Sequence, residues 1–128
     1  SDYGFLTVLL SEDRPGGLEV QNLGGQWVAP PALPGTFIVN LGDSLMRWTD
    51  DRWQSTPHRV VNPPAGSGSG SRRQAIAFFH NPARHALIDT LPTFRKPGRA
   101  DKYPPITYGD YAVERQSKSH AAFTVEMA

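Results

Sequence analysis

Residues 55–63 read Ser-Thr-Pro-His-Arg-Val-Val-Asn-Pro, and the middle of this stretch has the pattern of a short β-strand that ends at Asn-Pro. Successive side chains of a strand point to opposite faces. His58 and Val60 are therefore predicted on one face, and Arg59 and Val61 on the other. The pattern presents a histidine on the face of a β-sheet, beside an apolar neighbour.

Short runs of this kind recur along the chain and are separated by turn residues. The 128 residues include 12 glycines and 12 prolines, which disfavours long helices. One domain is predicted, with a core at 1–92, an extension at 93–128 and the all-β architecture of a sandwich or jelly roll. Asp43 is predicted to cap a helical turn, and Thr107 a C-terminal helix. The predicted elements are strands at 5–10, 18–21, 26–28, 36–40, 56–62, 73–80 and 86–89, with helical segments at 44–48 and 107–117.

Composition excludes several classes of function. A net charge of +1 provides no basic surface for nucleic acid or for an anionic membrane. The chain has no cysteine, so a bound metal would need histidine and carboxylate ligands, and a cytoplasmic location is expected. The longest apolar run, at 5–10, is too short to span a bilayer. The Gly/Ser-rich stretch at 66–71 is predicted as a hairpin loop, because a strand follows it and a phosphate-binding loop would open a helix.

Three residues are candidates for chemistry. Non-haem iron oxygenases bind their metal with two histidines and one carboxylate, and leave other positions open for oxygen and cosubstrate. Asp2 and His58 are of these types, but by spacing alone the plainer interpretation is a solvated terminal aspartate and a hydrogen-bonded strand histidine. Arg73 is predicted to share a strand face with Ala75 and Phe79, where its planar fork could bind a carboxylate with two parallel hydrogen bonds. The alternative for Arg73 is a surface arginine.

Residues 1–10, Ser-Asp-Tyr-Gly-Phe-Leu-Thr-Val-Leu-Leu, resemble His-x-Asp-Tyr/Phe-Gly-x-Leu-Thr-x-Leu from its second position onward. Residues 17–21 resemble Gly-Leu-Gln-Val, and residues 39–43 resemble Val-Asn-x-Gly-Asp. Residues 55–63 resemble Ser-x-x-His-Arg-Val-x-Asn, and residues 73–79 resemble Arg-x-Ser-x-x-Phe-Phe. In this order, the motifs resemble the catalytic half of the iron(II)- and 2-oxoglutarate-dependent dioxygenases, in the branch that includes isopenicillin N synthase.

The resemblance implies a double-stranded β-helix (jelly roll) that is incomplete at its N-terminus and carries a short C-terminal helix. By position in the motifs, Asp2 and His58 would be iron ligands, and Arg73 would bind the distal carboxylate of 2-oxoglutarate. Ala75 stands where the family has a serine, so one hydroxyl is absent, at a cost of about 0.5–1.5 kcal/mol. The residues expected to line the pocket are Leu6, Val60 and Phe79.

The implied activity is that of an oxidoreductase, a dioxygenase that uses Fe(II), 2-oxoglutarate and O2 to oxidise a small organic substrate. The first histidine of the family motif falls immediately before Ser1. Two alternatives stay open. One is a noncatalytic, self-assembling jelly-roll remnant without a complete iron site, and the other is an oxidase of the same fold that takes its electrons from the substrate. Unpaired strand edges are expected to cause self-association, which light scattering would detect.

Overall fold

The computed structural model describes residues 1–12, 17–62 and 73–126. The predicted hairpin loop at 66–71 lies outside these residues. Each predicted strand is present with slightly shifted ends, whereas β8 is an additional short strand that the sequence pattern does not predict. The strands are β1 (Leu6–Ser11), β2 (Gly17–Gln21), β3 (Trp27–Val28), β4 (Ile38–Leu41), β5 (His58–Val61), β6 (Ala75–His80), β7 (Leu87–Ile88) and β8 (Ile106–Thr107); the helices are α1 (Asp43–Trp48) and α2 (Tyr108–Glu126).

The strands form two antiparallel sheets that face each other. The first sheet has the order β4-β1-β6, and the second has the order β3-β2-β5. A separate antiparallel pair, β7-β8, leads into α2. Apart from the hairpin β2-β3, strands that are neighbours in these two sheets are far apart in sequence, as in a jelly roll, where the chain crosses repeatedly between two sheets. The predicted all-β jelly roll with a C-terminal helix is confirmed.

The outer faces of the two sheets differ in polarity. On the first sheet, Val8 pairs with Val39 on one side and with Phe78 on the other, and both partners are more than half exposed. On the second sheet, the guanidinium of Arg59 lies 2.7 Å from the carboxylate of Glu19. The outer surface of the first sheet is therefore apolar, whereas that of the second sheet is charged.

The N-terminus of α1 fixes the start of the chain. The first backbone N–H groups of a helix have no partner within the helix. Here the amides of Gly42 and Asp43 donate to the carbonyl oxygens of Phe5 and Asp2, at 2.6 and 2.7 Å. Ser44 donates twice, from its amide to Gly4 O at 3.1 Å and from its hydroxyl to Tyr3 O at 2.6 Å. Residues 2–5 are thereby held against the first turn of α1.

The prediction that Asp43 caps this helical turn is wrong. Asp43 is the first helical residue, Gly42 occupies the cap position, and no side chain caps the helix. The carbonyls of residues 2–5 already satisfy the amides that a cap would satisfy. The buried carboxylate of Asp43 instead accepts a hydrogen bond from Tyr111 at 3.1 Å and lies 3.1 Å from Arg115, both on α2.

Helix α2 begins where the sequence predicts and ends later. The Thr107 hydroxyl accepts a hydrogen bond from the Asp110 amide at 3.2 Å and donates to the Asp110 carboxylate at 2.6 Å, so the predicted cap is confirmed. The helix continues to Glu126 rather than Ser117, since residues 118–126 include no glycine or proline. Among the described residues, neither helix combines the length and apolar character needed to cross a bilayer.

Replacing Gly42 by alanine is expected to destabilise the fold. A Cβ at this position would lie 2.2 Å from the Gly4 carbonyl oxygen, which is backbone and cannot move aside cheaply. We expect Gly42→Ala to lower the free energy of unfolding by about 3 kcal/mol, at the upper end for an overpacked site. Urea denaturation followed by circular dichroism measures this change.

The matched control is Gly24→Ala. Gly24 is exposed, and a Cβ there would meet only the Asn22 side chain, at 3.3 Å. Its effect should stay within about 0.5 kcal/mol. Equal unfolding free energies for the two variants would contradict the close approach of Gly42 to Gly4.

Candidate functional site

A cavity of about 190 Å³ lies between the two sheets. Its walls are formed by the side chains that point inward from five strands, together with residues just outside β1 and β6. The lining residues are Asp2, Thr7, Leu9, Leu18, Val20, Ile38, Asn40, His58, Val60, Arg73, Ala75, Ala77 and Phe79. Most of them are apolar, and the polar ones are grouped at two ends.

One end carries a carboxylate and an imidazole in contact. His58 Nε2 lies 3.4 Å from Asp2 Oδ1, and both side chains are largely shielded from solvent. Donor atoms that share one metal ion at about 2.1 Å each must lie within about 4.2 Å of one another. The pair therefore meets the distance requirement for binding a single ion.

Hydrogen bonds fix the orientation of the Asp2 carboxylate. Its Oδ2 accepts from the Thr7 hydroxyl at 2.5 Å and from the Asn40 side-chain amide at 2.8 Å, which leaves Oδ1 directed at His58. Partial burial alone would raise the pKa of Asp2, but these two hydrogen bonds and the nearby His58 ring outweigh it, and the net pKa lies below the ordinary value of 3.8. The carboxylate is thus kept ionised, as a metal ligand must be.

The backbone fixes the tautomer of His58. Its Nδ1 lies 3.1 Å from the Thr56 carbonyl oxygen, which can only accept a hydrogen bond, so Nδ1 carries a hydrogen. In the neutral ring, the lone pair of Nε2 then faces Asp2 Oδ1. Two such acceptors attract each other only when a cation lies between them, either a proton on Nε2 or a metal ion. A ligating histidine whose other nitrogen donates to a carbonyl is the usual arrangement in metal sites.

These two side chains do not form a larger cluster. Within residues 1–12, 17–62 and 73–126, no three His, Cys, Asp or Glu side chains are grouped closely enough to hold a metal ion. Asp2 and His58 are the donors that this end of the cavity offers.

The opposite end of the cavity carries a guanidinium. Arg73 Nη1 donates to the Ser11 hydroxyl at 2.6 Å, and the guanidinium lies directly over Gly17. A Cβ at Gly17 would lie 2.3 Å from Arg73 Nε, and the residue adopts φ +104°, a conformation that favours glycine. In the described part of the chain, no carboxylate forms an ion pair with Arg73. The guanidinium lines this end of the cavity.

The two polar ends lie at different positions along β1. Thr7 marks the first end and Ser11 the second, and four residues of strand cover about 13 Å. The wall between them is built from aliphatic and small side chains, such as Leu9, Val20 and Ala77. A molecule with an anionic group at each end and a short carbon chain between them matches this arrangement.

A second, more polar cavity of about 330 Å³ lies on the other side of Asp2. It shares Asp2, Thr7 and Phe79 with the first cavity, and α2 forms its far wall. The remaining lining residues are Ser1, Tyr3, Gly4, Asn81, Tyr108, Ala112 and Gln116. Asp2 thus lies where two cavities meet.

Six of the seven residues predicted for the site line the first cavity: Asp2, His58, Val60, Arg73, Ala75 and Phe79. The prediction that Leu6 lines it is wrong, because Leu6 precedes Thr7 on β1 and its side chain points to the opposite face. The sequence analysis missed Thr7 and Asn40, which orient Asp2. It also missed Ser11 and Gly17, which fix Arg73. Thr7 could have been recognised from the sequence, because it is the one polar residue in the apolar run at 5–10.

Comparisons with known proteins agree with this geometry. The family model described as the 2OG-Fe(II) oxygenase superfamily matches residues 1–82, which is more than half of the chain. The chain belongs to this superfamily.

Individual relatives and solved structures are similar to most of the chain. A homoarginine-6-hydroxylase from Oryza sativa subsp. japonica is 35% identical over 116 residues, which is 90% of this chain and 34% of that protein. The 2-oxoglutarate-Fe(II) type oxidoreductase hxnY from Emericella nidulans is 40% identical over 111 residues, which is 86% of this chain and 30% of that protein. The full-length Neurospora crassa T7H in complex with alpha-KG and thymine has a TM-score of 0.82 at 37% identity, over 93% of this chain and 36% of its own. The chain therefore spans about a third of the length of these proteins.

Proposed function

We propose that this chain forms the iron- and 2-oxoglutarate-binding part of a dioxygenase that oxidises a small organic molecule. The observation that carries the proposal is the two-ended cavity, with ionised Asp2 beside His58 at one end and the Arg73 guanidinium at the other. The name of one solved structure supports the substrate class, since T7H was solved with thymine, a small molecule. A cytoplasmic location is part of the proposal and rests on the absence of cysteine.

Asp2 and His58 would hold Fe(II), and the third ligand of the family motif would fall immediately before Ser1. Bound Fe(II) supplies the redox chemistry with O2 and 2-oxoglutarate. The residues of the chain orient the groups that would bind the ion. Thr7 and Asn40 keep one carboxylate oxygen of Asp2 occupied and direct the other toward the ion, while the Thr56 carbonyl holds the hydrogen of the neutral His58 ring on Nδ1, so that the Nε2 lone pair would face the ion. The apolar wall excludes water from the space between the two ends, which strengthens the electrostatic contacts of a bound anion.

Arg73 would bind the distal carboxylate of 2-oxoglutarate. A guanidinium offers two parallel N–H donors to one carboxylate, and the geometry of the fork discriminates a carboxylate from a neutral group. The opposite end of 2-oxoglutarate would then lie toward Asp2 and His58. The positive charge of Arg73 would favour a dicarboxylate over a monocarboxylic acid.

Extending the chain by one histidine before Ser1 is expected to tighten Fe(II) binding. The added residue restores the order His-x-Asp and supplies a further imidazole. We expect the dissociation constant to fall by about tenfold or more, which corresponds to about 1.4 kcal/mol. Anaerobic calorimetric titration of both proteins with Fe(II) measures it.

Two variants serve as references for this titration. His58→Ala should weaken binding in both proteins, whereas His85→Ala should not, because His85 is an exposed turn residue away from the cavity. Equal affinity with and without the added histidine would favour the noncatalytic alternative. Undiminished binding after His58→Ala would exclude His58 as a ligand.

Arg73→Ala is expected to weaken 2-oxoglutarate binding without affecting the metal. Loss of a charge-assisted hydrogen-bonded contact costs about 1.5–3 kcal/mol, or about ten- to a hundredfold in affinity. Arg73→Lys should recover only part of this, since an ammonium cannot bond both carboxylate oxygens in one plane. Calorimetric titration with 2-oxoglutarate in saturating Mn(II) measures the affinity, and an Mn(II) titration measures the metal.

Arg59→Ala is the matched control, because Arg59 pairs with Glu19 on the outer face of the second sheet. Its affinity for 2-oxoglutarate should equal that of the unmodified chain. If Arg59→Ala and Arg73→Ala change the affinity for 2-oxoglutarate equally, Arg73 is not the residue that binds its distal carboxylate.

A further inference from the structure

The hydroxyl that is absent at position 75 has a counterpart on the neighbouring strand. In the pairing of β1 with β6, Ser11 lies directly opposite Ala75. Residues that face each other across an antiparallel pair have their side chains on the same face, about 4.5–5.5 Å apart at Cβ. Ser11 therefore places a hydroxyl next to the position where the motif has its serine.

This hydroxyl contacts the guanidinium. Ser11 Oγ accepts a hydrogen bond from Arg73 Nη1 at 2.6 Å, and it lies 3.2 Å from the Glu12 carbonyl oxygen, to which it donates. Gly17 supports the guanidinium from the other side, with no side chain between the backbone and Arg73. An unrestrained arginine has many rotamers, and each one that must be frozen on binding lowers affinity. The contacts with Ser11 and Gly17 remove much of that freedom before a ligand arrives.

We propose that Ser11 is a positioning residue that replaces the missing serine, by holding the Arg73 fork in the orientation that binds a distal carboxylate. Ser11 acts through Arg73: it is not among the residues that line the cavity, whereas Arg73 is. The inference rests on the proposed function, because it presumes that Arg73 binds 2-oxoglutarate.

The test compares two ligands in saturating Mn(II) by calorimetry. The first is 2-oxoglutarate, and the second is 2-oxobutyrate, which has the same 2-oxo acid group and no second carboxylate. We expect Ser11→Ala to weaken 2-oxoglutarate binding about fivefold, as for one lost hydrogen bond, and to leave 2-oxobutyrate binding unchanged. A defect that disturbed only the fold would weaken both ligands alike.

A second variant makes the test specific. Adding Ala75→Ser to Ser11→Ala returns a hydroxyl to the neighbouring position, and it should raise the affinity for 2-oxoglutarate by more than Ala75→Ser alone raises it in the unmodified chain. Ser117→Ala, an exposed serine on α2, should change neither ligand. Failure of the rescue, or an equal loss for both ligands, would overturn the role of Ser11.

Arg73→Ala separates this inference from the proposed function. If Arg73→Ala leaves the ratio of the two affinities unchanged, Arg73 does not bind the distal carboxylate and the proposed function fails. If Arg73→Ala removes the preference for 2-oxoglutarate while Ser11→Ala does not reduce it, the proposed function stands and the inference about Ser11 fails.

Discussion

The candidate site depends on the contact between the first turn of α1 and the segment 2–5. Amides at the start of the helix need acceptors, and the carbonyls of this segment supply them, the closest at 2.6 Å. This contact places Asp2 beside Asn40 and Thr7, which in turn aim its carboxylate at His58. The approach is close enough that Gly42 has no room for a side chain, because a Cβ there would lie 2.2 Å from the Gly4 carbonyl oxygen. Backbone hydrogen bonds therefore hold the segment that carries Asp2 against α1, and Phe5 adds a ring contact with Trp48, with centroids 4.3 Å apart.

The two sheets contribute different parts of the site. The first sheet supplies Thr7 and Asn40, and its strand β6 begins two residues after Arg73. The second sheet supplies His58 and the backbone of Gly17. Separation of the sheets would break both ends of the cavity at once. The side chains on the outer faces of the two sheets do not contact the cavity, because alternate residues of a strand point to opposite faces.

Local sequence pattern was sufficient for some of these features and insufficient for others. Alternation within one strand predicted that Arg73, Ala75 and Phe79 share a face, because that depends only on neighbouring residues. The pairing of Ser11 with Ala75 could not be predicted in the same way, since it depends on the register of two strands that are far apart in the chain. The role of Asn40 was hidden for the same reason.

The errors also have physical causes. The expectation that Leu6 lines the pocket conflicts with strand alternation, because Thr7 and Leu9 point into the cavity and Leu6 therefore points away from it. Aspartate is common at the N-cap of a helix, which is why the sequence predicts Asp43 as a cap. In the structure, the first amides of α1 donate instead to the backbone carbonyls of residues 2–5. For Asp43, a long-range contact overrides a local preference, whereas for Leu6 the local alternation along β1 already indicates the outer face.

The most direct measurement of the central claim is paramagnetic line broadening of the chain's amide NMR signals by substoichiometric Mn(II). Rapid exchange makes even weak binding visible, and the broadening falls steeply with distance from the ion. If Asp2 and His58 hold the ion, the strongest broadening will occur at the amides of Asp2, Thr7 and His58, with a decline along β1 toward Ser11. Strongest broadening at another carboxylate pair, such as the Asp50–Asp51 turn, with Asp2 and His58 unaffected, would contradict it.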